Sequence, residues 1–361
     1  MNMKLRRLSL GFYLCVFSLL VVACHVEFSP NAQWRDIPSV YCVLDPEEDT
    51  VWVRVQRCYL GDDTLYNYST IADSTNYPEG SIRVKLLAWE GQRGTHNSLT
   101  ATNRLVDSWD LVYMELPGKP DGDFASGSQP IYYCVPGHRL LEDTACVFEL
   151  LVINQRNDTL ARATTSLVGF QTLTRVGGDT VESVLVEPNT ARGHAFGYRV
   201  PNKGEIKWNT LPRGRRYQPT LIFHYAKHGD TMSIPVKGSY LVNTNNDLTL
   251  SSKSITQERL LSYVKESLKD NRDTIYIVNT VGIVIDACNE DLHAYLNSQN
   301  SASGASQDYQ IYSNIEGGVG IFGSRRTHIL ANVPCDSSGK EGYLASELKK
   351  LHVGFSGDWG K

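Results

Sequence analysis

The segment VWVRVQR, residues 51–57, alternates strictly: Val51, Val53 and Val55 are apolar, and Trp52, Arg54 and Gln56 stand between them. Side chains of an extended backbone point to opposite faces in turn, so this pattern specifies a strand with one face buried. Similar segments recur on either side. SVYCVLD, SIRVKLLAWE, WDLVYMEL, PIYYCV, ACVFELLVIN and TLARATTSLV are short, rich in β-branched and aromatic residues, and bounded by Gly, Pro, Asn or Asp. About seven such segments without a helical period between them predict an antiparallel β-sandwich over residues 37–175. The composition of PGKPDGDFASGSQP, residues 117–130, predicts a loop inside it.

A second β-rich domain, 176–361, is expected to start near Gly177-Gly178. ESVLVEP, HAFGYRV and GEIKWNT read as strands, and QPTLIFHYAKHGDTMSIPVKGSYLV reads as two strands around a Lys227–Asp230 turn. Trp208 followed by Tyr217 resembles the aromatic pattern of immunoglobulin or fibronectin-III sandwiches. The expected fold is therefore mainly β: two immunoglobulin/fibronectin-III-like antiparallel β-sandwich domains, the second with inserted and C-terminal helices. Ser254-x-x-Gln257 reads as a capping box, after which Leu260, Leu261, Val264 and Leu268 share one helical face. DTIYIVNTVGIVIDAC predicts a central strand, EDLHAYLNSQ a short helix, and Leu344, Leu348 and Leu351 a last amphipathic helix.

The N-terminus constrains location. Lys4, Arg6 and Arg7 precede an apolar run from Leu8 to Ala23 that ends at Cys24. The run is shorter than the roughly 20 residues of a membrane span and has the form of a secretory signal. Val21-Val22-Ala23 before Cys24 matches the lipobox of bacterial lipoproteins. The expectation is a signal peptide at 1–23, acylation of Cys24, and a tether at 24–36. Two or three acyl chains hold a protein stably on a membrane. A net charge of −4 gives no reason to expect a nucleic-acid partner.

Cys42, Cys58, Cys134, Cys146, Cys288 and Cys335 follow the lipobox, an even number that suits disulfides in an exported chain. Cys134 and Cys146 flank a loop, and Cys288 and Cys335 both follow strand-like segments. Buried thiols acting as small hydrophobes are the other reading. The spacing lacks CxxC, so no zinc site is expected. His224 and His228 are four apart, but a strand and turn would spread them. NTNNDL, residues 243–248, lacks the glycine and the bidentate glutamate of a calcium loop. No catalytic motif and no cofactor site is recognised, and catalysis is not expected. Among the 19 Tyr and 6 Trp, Trp89, Trp109, Tyr66, Tyr68 and Trp359 could stack on sugars, although sheet packing uses the same residues.

Asp-Thr followed by an aliphatic residue or Met recurs at Thr50, Thr64, Thr144, Thr159, Thr180, Thr231 and Thr274. It matches the O-glycosylation acceptor pattern of exported Bacteroidota proteins, and it also suits a turn entering a strand. NIEGGVGIFGSRR, residues 314–326, contains Gly318-x-Gly320-x-x-Gly323. A dinucleotide fingerprint needs a strand before it and a helix after it. Here a strand-like SRRTHILANV follows, so the glycines read as a bulge needing close backbone approach. Ile321 and Phe322 are expected in the core, and Arg325 and Arg326 in solvent.

The lipobox, SVYCVLDPEEDTVWVRVQRCYLGDD and YSNIEGGVGIFGSR together resemble a family of Bacteroidota lipoproteins of unknown function, often encoded beside TonB-dependent receptors. Cys42 stands where that family usually has glycine. The resemblance implies an outer-membrane location, with the periplasmic face favoured because HVEFS after Cys24 lacks an acidic run. It implies a binding or accessory role beside a transporter and identifies no ligand or catalytic residue. A fimbrial or adhesin-like structural subunit is the alternative, and an envelope hydrolase a third.

Overall fold

The computed structural model describes residues 35–58, 71–95, 98–119, 126–137, 145–169, 174–176, 179–181, 204–301, 312–334 and 343–359. They are mainly β. The strands are β1 (Pro38–Leu44), β2 (Val51–Arg57), β3 (Ile82–Arg93), β4 (Leu99–Asp110), β5 (Val112–Lys119), β6 (Gly127–Cys134), β7 (Cys146–Asn154), β8 (Thr159–Ser166), β9 (Thr174–Val176) and β10 (Asp179–Val181). They continue with β11 (Ile206–Asn209), β12 (Arg216–Lys227), β13 (Asp230–Lys237), β14 (Leu241–Val242), β15 (Thr249–Ser252), β16 (Ile275–Cys288), β17 (Val319–Pro334) and β18 (Phe355–Trp359). The helices are α1 (Ala72–Thr75), α2 (Gln257–Ser267), α3 (Glu290–Ser301) and α4 (Tyr343–Lys349).

One long sheet runs through both halves in the order β13-β12-β16-β17-β1-β2-β6-β5. A four-stranded sheet, β4-β3-β7-β8, faces its β1–β6 side. Val40, Val53 and Tyr132 of the long sheet meet Val84, Phe148 and Ala163 of the short one in a shared core. The alternation of β2 works as its residues dictate: Val51, Val53 and Val55 are buried and Trp52 is exposed. In the second half, Trp208, Tyr217, Phe223 and Ile283 form a separate core, with Leu260 and Val264 of α2 and Leu348 of α4 packed in.

β17 revises the expected division at residue 175. Its first part pairs with β1 in parallel, from Ser39↔Val319 to Leu44↔Ser324. Its second part pairs antiparallel with β16, from Cys288↔Arg325 to Thr280↔Pro334. Ile315 and Phe322, late in the chain, therefore belong to the first half's core. The expectation of purely antiparallel sheets also fails, because β16 and β18 run parallel as well. The physical reason is that β17 joins β1 about 280 residues later in the chain, by a crossover and not by a hairpin, which leaves the parallel direction open.

The glycine motif makes this junction. Gly320 has φ +121, and a Cβ there would fall on the Val40 carbonyl, so only glycine lets β17 lie against β1 at this point. Ile321 and Phe322 are buried, as expected. Arg326 is not in solvent: it is 3% exposed, because Phe322, Ser324 and Arg326 share a face of β17 that turns inward between the halves. Its Nε meets Glu47 at 3.2 Å, and an Nη donates to the Val168 carbonyl at 3.3 Å. Arg325 pairs with Asp45 at 2.8 Å.

Around these residues lies a buried polar seam. The Ser324 hydroxyl donates to the Ser166 carbonyl at 2.9 Å and accepts from the Val168 N–H at 2.9 Å. Asn289 Oδ1 accepts from the Ser324 N–H at 3.2 Å and from the Leu292 N–H at 3.1 Å, which caps α3. Its Nδ2 donates to the Thr165 hydroxyl at 2.8 Å. Buried polar groups satisfied from both sides fix one arrangement of the halves, since sliding would strand each of them.

Candidate functional site

A cleft of about 270 Å³ lies at the open lip of the first half. α1 and the Pro78-Glu79 turn form one wall, and β5 and β6 the other. Asp73, Glu79 and Glu115 line it with Tyr77, Tyr113 and Ser128; among the described residues, no Lys, Arg or His does. Tyr113 and Glu115 are two apart on β5, so both side chains emerge on the same face.

The groups on the β5 wall are pre-arranged. Tyr113 Oη donates to Glu115 Oε1 at 2.9 Å. Hydrogen bonds from Ser128 and Tyr113 hold the Glu115 carboxyl below its usual range, so it is ionised at neutral pH. Burial, then the bond to Glu115, pushes the Tyr113 phenol up to about 12 and keeps it a donor. On the other wall, the Tyr77 hydroxyl donates to Asp36 Oδ1 at 2.7 Å, and the Arg57 guanidinium stacks over the Tyr77 ring at 4.8 Å. Tyr132 contacts Tyr113 edge-on, with ring centroids 5.7 Å apart. Tyr132 is 3% exposed, yet its hydroxyl has no hydrogen-bond partner. The charges that bear on it are those of Tyr113 and Glu79, both cleft residues, and its phenol is pushed up to about 12, chiefly by burial.

None of these residues was singled out by sequence motifs, because α1 and β5 lie far apart in the chain. The alternation of β5 and β6 carries the available signal: an acid at 115 and a serine at 128 occupy positions facing the inner side of a sheet. On the outer face, Trp52 and Tyr133 pair with ring centroids 5.4 Å apart, beside exposed Val112. These too were missed as binding candidates.

The aromatic residues proposed for sugar stacking are placed otherwise. Trp89 Nε1 donates to buried Glu149 at 2.7 Å, and Trp109 packs on the first core. Tyr66, Tyr68 and the Trp359 side chain lie outside the described residues. His224 and His228 diverge as expected: His224 Nδ1 meets Ser233 Oγ at 2.8 Å, whereas His228 sits in the β12–β13 turn at φ +53, 3.6 Å from Asp273. Asn243 clips the 243–248 loop through both backbone groups of Asp247.

The possible Cys134–Cys146 pair does not form, and the possible Cys288–Cys335 pair is not covered by the described residues. Cys134 and Cys288 are free thiols. Cys134 ends β6 in the long sheet and Cys146 opens β7 in the facing sheet, so the two are not opposed across a hairpin. Cys335 lies outside the described residues. Burial pushes Cys134 up to about 12 and Cys288 to about 11, the behaviour of small core hydrophobes.

Of the threonines, Thr159, Thr231 and Thr274 are exposed and Thr50 half-buried, each within one residue of the start of a strand. Thr180 lies in β10, and Thr64, Thr144 and Cys24 lie outside the described residues. No helix among the described residues is long and apolar enough to cross a membrane. No group of three or more His, Cys, Asp or Glu side chains among them converges as a metal site. No protein-family model and no curated protein matches the chain.

Proposed function

We propose that the protein is an outer-membrane lipoprotein, anchored through acylated Cys24, that acts as a binding module beside a TonB-dependent transporter. The carrying observation is the cleft: a concave site with convergent polar groups, pre-arranged by Ser128 and Tyr113 around Glu115. The lipobox and the two sequence stretches shared with Bacteroidota lipoproteins support the location and the partner. On this reading the first half is an immunoglobulin-like sandwich that presents the cleft, and exposed Thr159, Thr231 and Thr274 are open to O-glycosylation.

Crosslinked pull-down from native membranes tests the reading. The expected result is co-recovery of a TonB-dependent receptor from the outer-membrane fraction, with Cys24→Ala releasing the chain into the soluble fraction. A self-ladder without receptor, or membrane attachment that survives Cys24→Ala, overturns it.

A further inference from the structure

On the outer side of the long sheet, α3 lies over β17, and its Tyr295 meets Tyr41 of β1 edge-on, with ring centroids 6.1 Å apart. Beyond Tyr41 the same face continues over β2, β6 and β5. Register sets Trp52 beside Tyr133 and Tyr133 beside Val112 in one row, with Ile131 beside Met114 in the next. Trp52 is 44% exposed and Val112 53%, and Leu116, further along this side of β5, is exposed as well. Apolar side chains gathered on one open face mark an interaction surface.

Size and charge limit what the face can meet. Three strands about 4.8 Å apart, over the length from Val112 to Leu116, outline about 300 Å². A stable protein–protein interface takes about 800 Å² from each partner, so a second copy of the chain is a poor occupant. On segments 52–56, 129–133 and 112–116 this side carries one charged residue, Arg54, and no carboxylate, although the chain's net charge is −4. Such a patch is not repelled by anionic headgroups. Trp and Tyr, apolar rings with a polar end, settle at the boundary between headgroups and acyl chains.

The anchor adds a third constraint. The stretch from Cys24 to Pro38, where β1 opens, spans at most about 50 Å when fully extended. The Trp52 row crosses β1 near Val43, roughly 17 Å along the strand from Pro38. The whole face is within the anchor's reach, and tethering keeps the bilayer at a high effective concentration beside it.

We infer that the open face of β2, β6 and β5 lies on the membrane surface, with Trp52, Tyr133 and Val112 set among the headgroups, and that it holds the first half in one orientation over the bilayer. This goes beyond the binding-module reading and rests on its lipid anchor. The cleft is lined by the opposite face of β5, through Tyr113 and Glu115, and is left facing away from the bilayer.

The test uses the acylated chain purified from its own membranes and reconstituted in phosphatidylethanolamine–phosphatidylglycerol vesicles whose acyl chains are brominated just below the headgroups. Bromine quenches tryptophan emission on contact. Quenching is expected in the wild type and is expected to fall at least about twofold in Trp52→Phe and in Val112→Glu, the second because a carboxylate draws the face out of the boundary. Both side chains are exposed, and unchanged circular dichroism and melting establish that the variants are folded. Flotation with the vesicles is scored in parallel. Equal quenching in three proteins that all float overturns the inference and leaves the anchor standing. Failure of the wild type to float overturns the anchor and the inference together. A dimer in detergent that Val112→Glu dissociates puts a second copy on the face and also overturns the inference.

Discussion

Tyr132 and Tyr217 are both buried tyrosines in strands of the same long sheet, one in each half. Tyr217 closes its corner: its hydroxyl accepts from the Leu211 N–H at 2.8 Å and lies 3.3 Å from the Leu211 carbonyl, and its ring meets Trp208. The Tyr132 hydroxyl is buried and makes no hydrogen bond. The second half uses its aromatic core to seal itself, with α2 and α4 laid over it. The first half borrows its last strand from residues 319–324 and keeps a polar opening at its lip. The second half's buried tyrosine is thus satisfied by its own corner, and the first half's is not.

The comparison is most exposed to failure at the borrowed strand. Gly320→Val is expected to cost at least about 3 kcal/mol, since the side chain meets the Val40 carbonyl and the backbone has positive φ. Gly80→Ala, also at positive φ but in open space, is expected to cost only about 1 kcal/mol. Urea denaturation of the two variants measures the difference, and equal losses would mean that close approach to β1 is unimportant.

Next comes the seam. Asn289→Leu leaves the Ser324 and Leu292 N–H groups and the Thr165 hydroxyl without a buried partner, an expected loss of about 2–4 kcal/mol. Thermal unfolding by calorimetry is expected to split into two transitions as the halves uncouple. A single transition with little loss would show that the two cores are held together by the sheet alone.

The tyrosines themselves separate more finely. Tyr217→Phe is expected to cost about 1–3 kcal/mol by unpairing the Leu211 N–H, whereas Tyr132→Phe is expected to be neutral or slightly stabilising. Chemical denaturation of both variants compares them directly, and equal effects would erase the contrast between the halves.

The smallest effect is a pH dependence in the sealed half. Burial lowers the His224 pKa from its ordinary 6.5. The unfolded chain therefore takes up this proton first as pH falls, so the contribution is present above pH 6.5 and is lost between 6.5 and the lower folded value. His224→Gln is expected to melt closer to the wild type at pH 5, where the wild type loses its advantage, than at pH 8. An identical difference at both pH values would remove His224 from the account.

The elements whose cause is local were legible in the sequence. β2 follows from the alternation of Val51, Val53 and Val55, and β16 from its apolar, β-branched run. The β12–β13 hairpin follows from a turn in which His228 and Gly229 both take positive φ, as a tight two-residue turn requires. The helix at 257–267 was legible by its apolar face, but its cap is Thr256, whose side chain accepts from the Arg259 N–H; Ser254 is engaged by the Ser239 N–H. β4 was largely missed because Thr100, Thr102, Asn103 and Ser108 give it the composition of a loop, and its partner strand β3 supplies the order instead. The site was illegible for a different reason. Asp73, Glu79 and Glu115 come together through packing of α1 against the sandwich lip, and no spacing along the chain records that. Arg326 was misplaced because strand alternation shows which face a side chain takes, but not that a second core covers that face.

The parallel ladder joins positions about 280 residues apart. Closing a loop of that length costs about 5 kcal/mol of chain entropy before any contact repays it. The first half's sheet therefore waits for nearly the whole chain before its last strand can join. A polypeptide threaded end-first through a narrow pore would carry its amino-terminal half across with β1 still unmatched on one edge, and Gly320 would be among the last residues needed to finish what Val40 began.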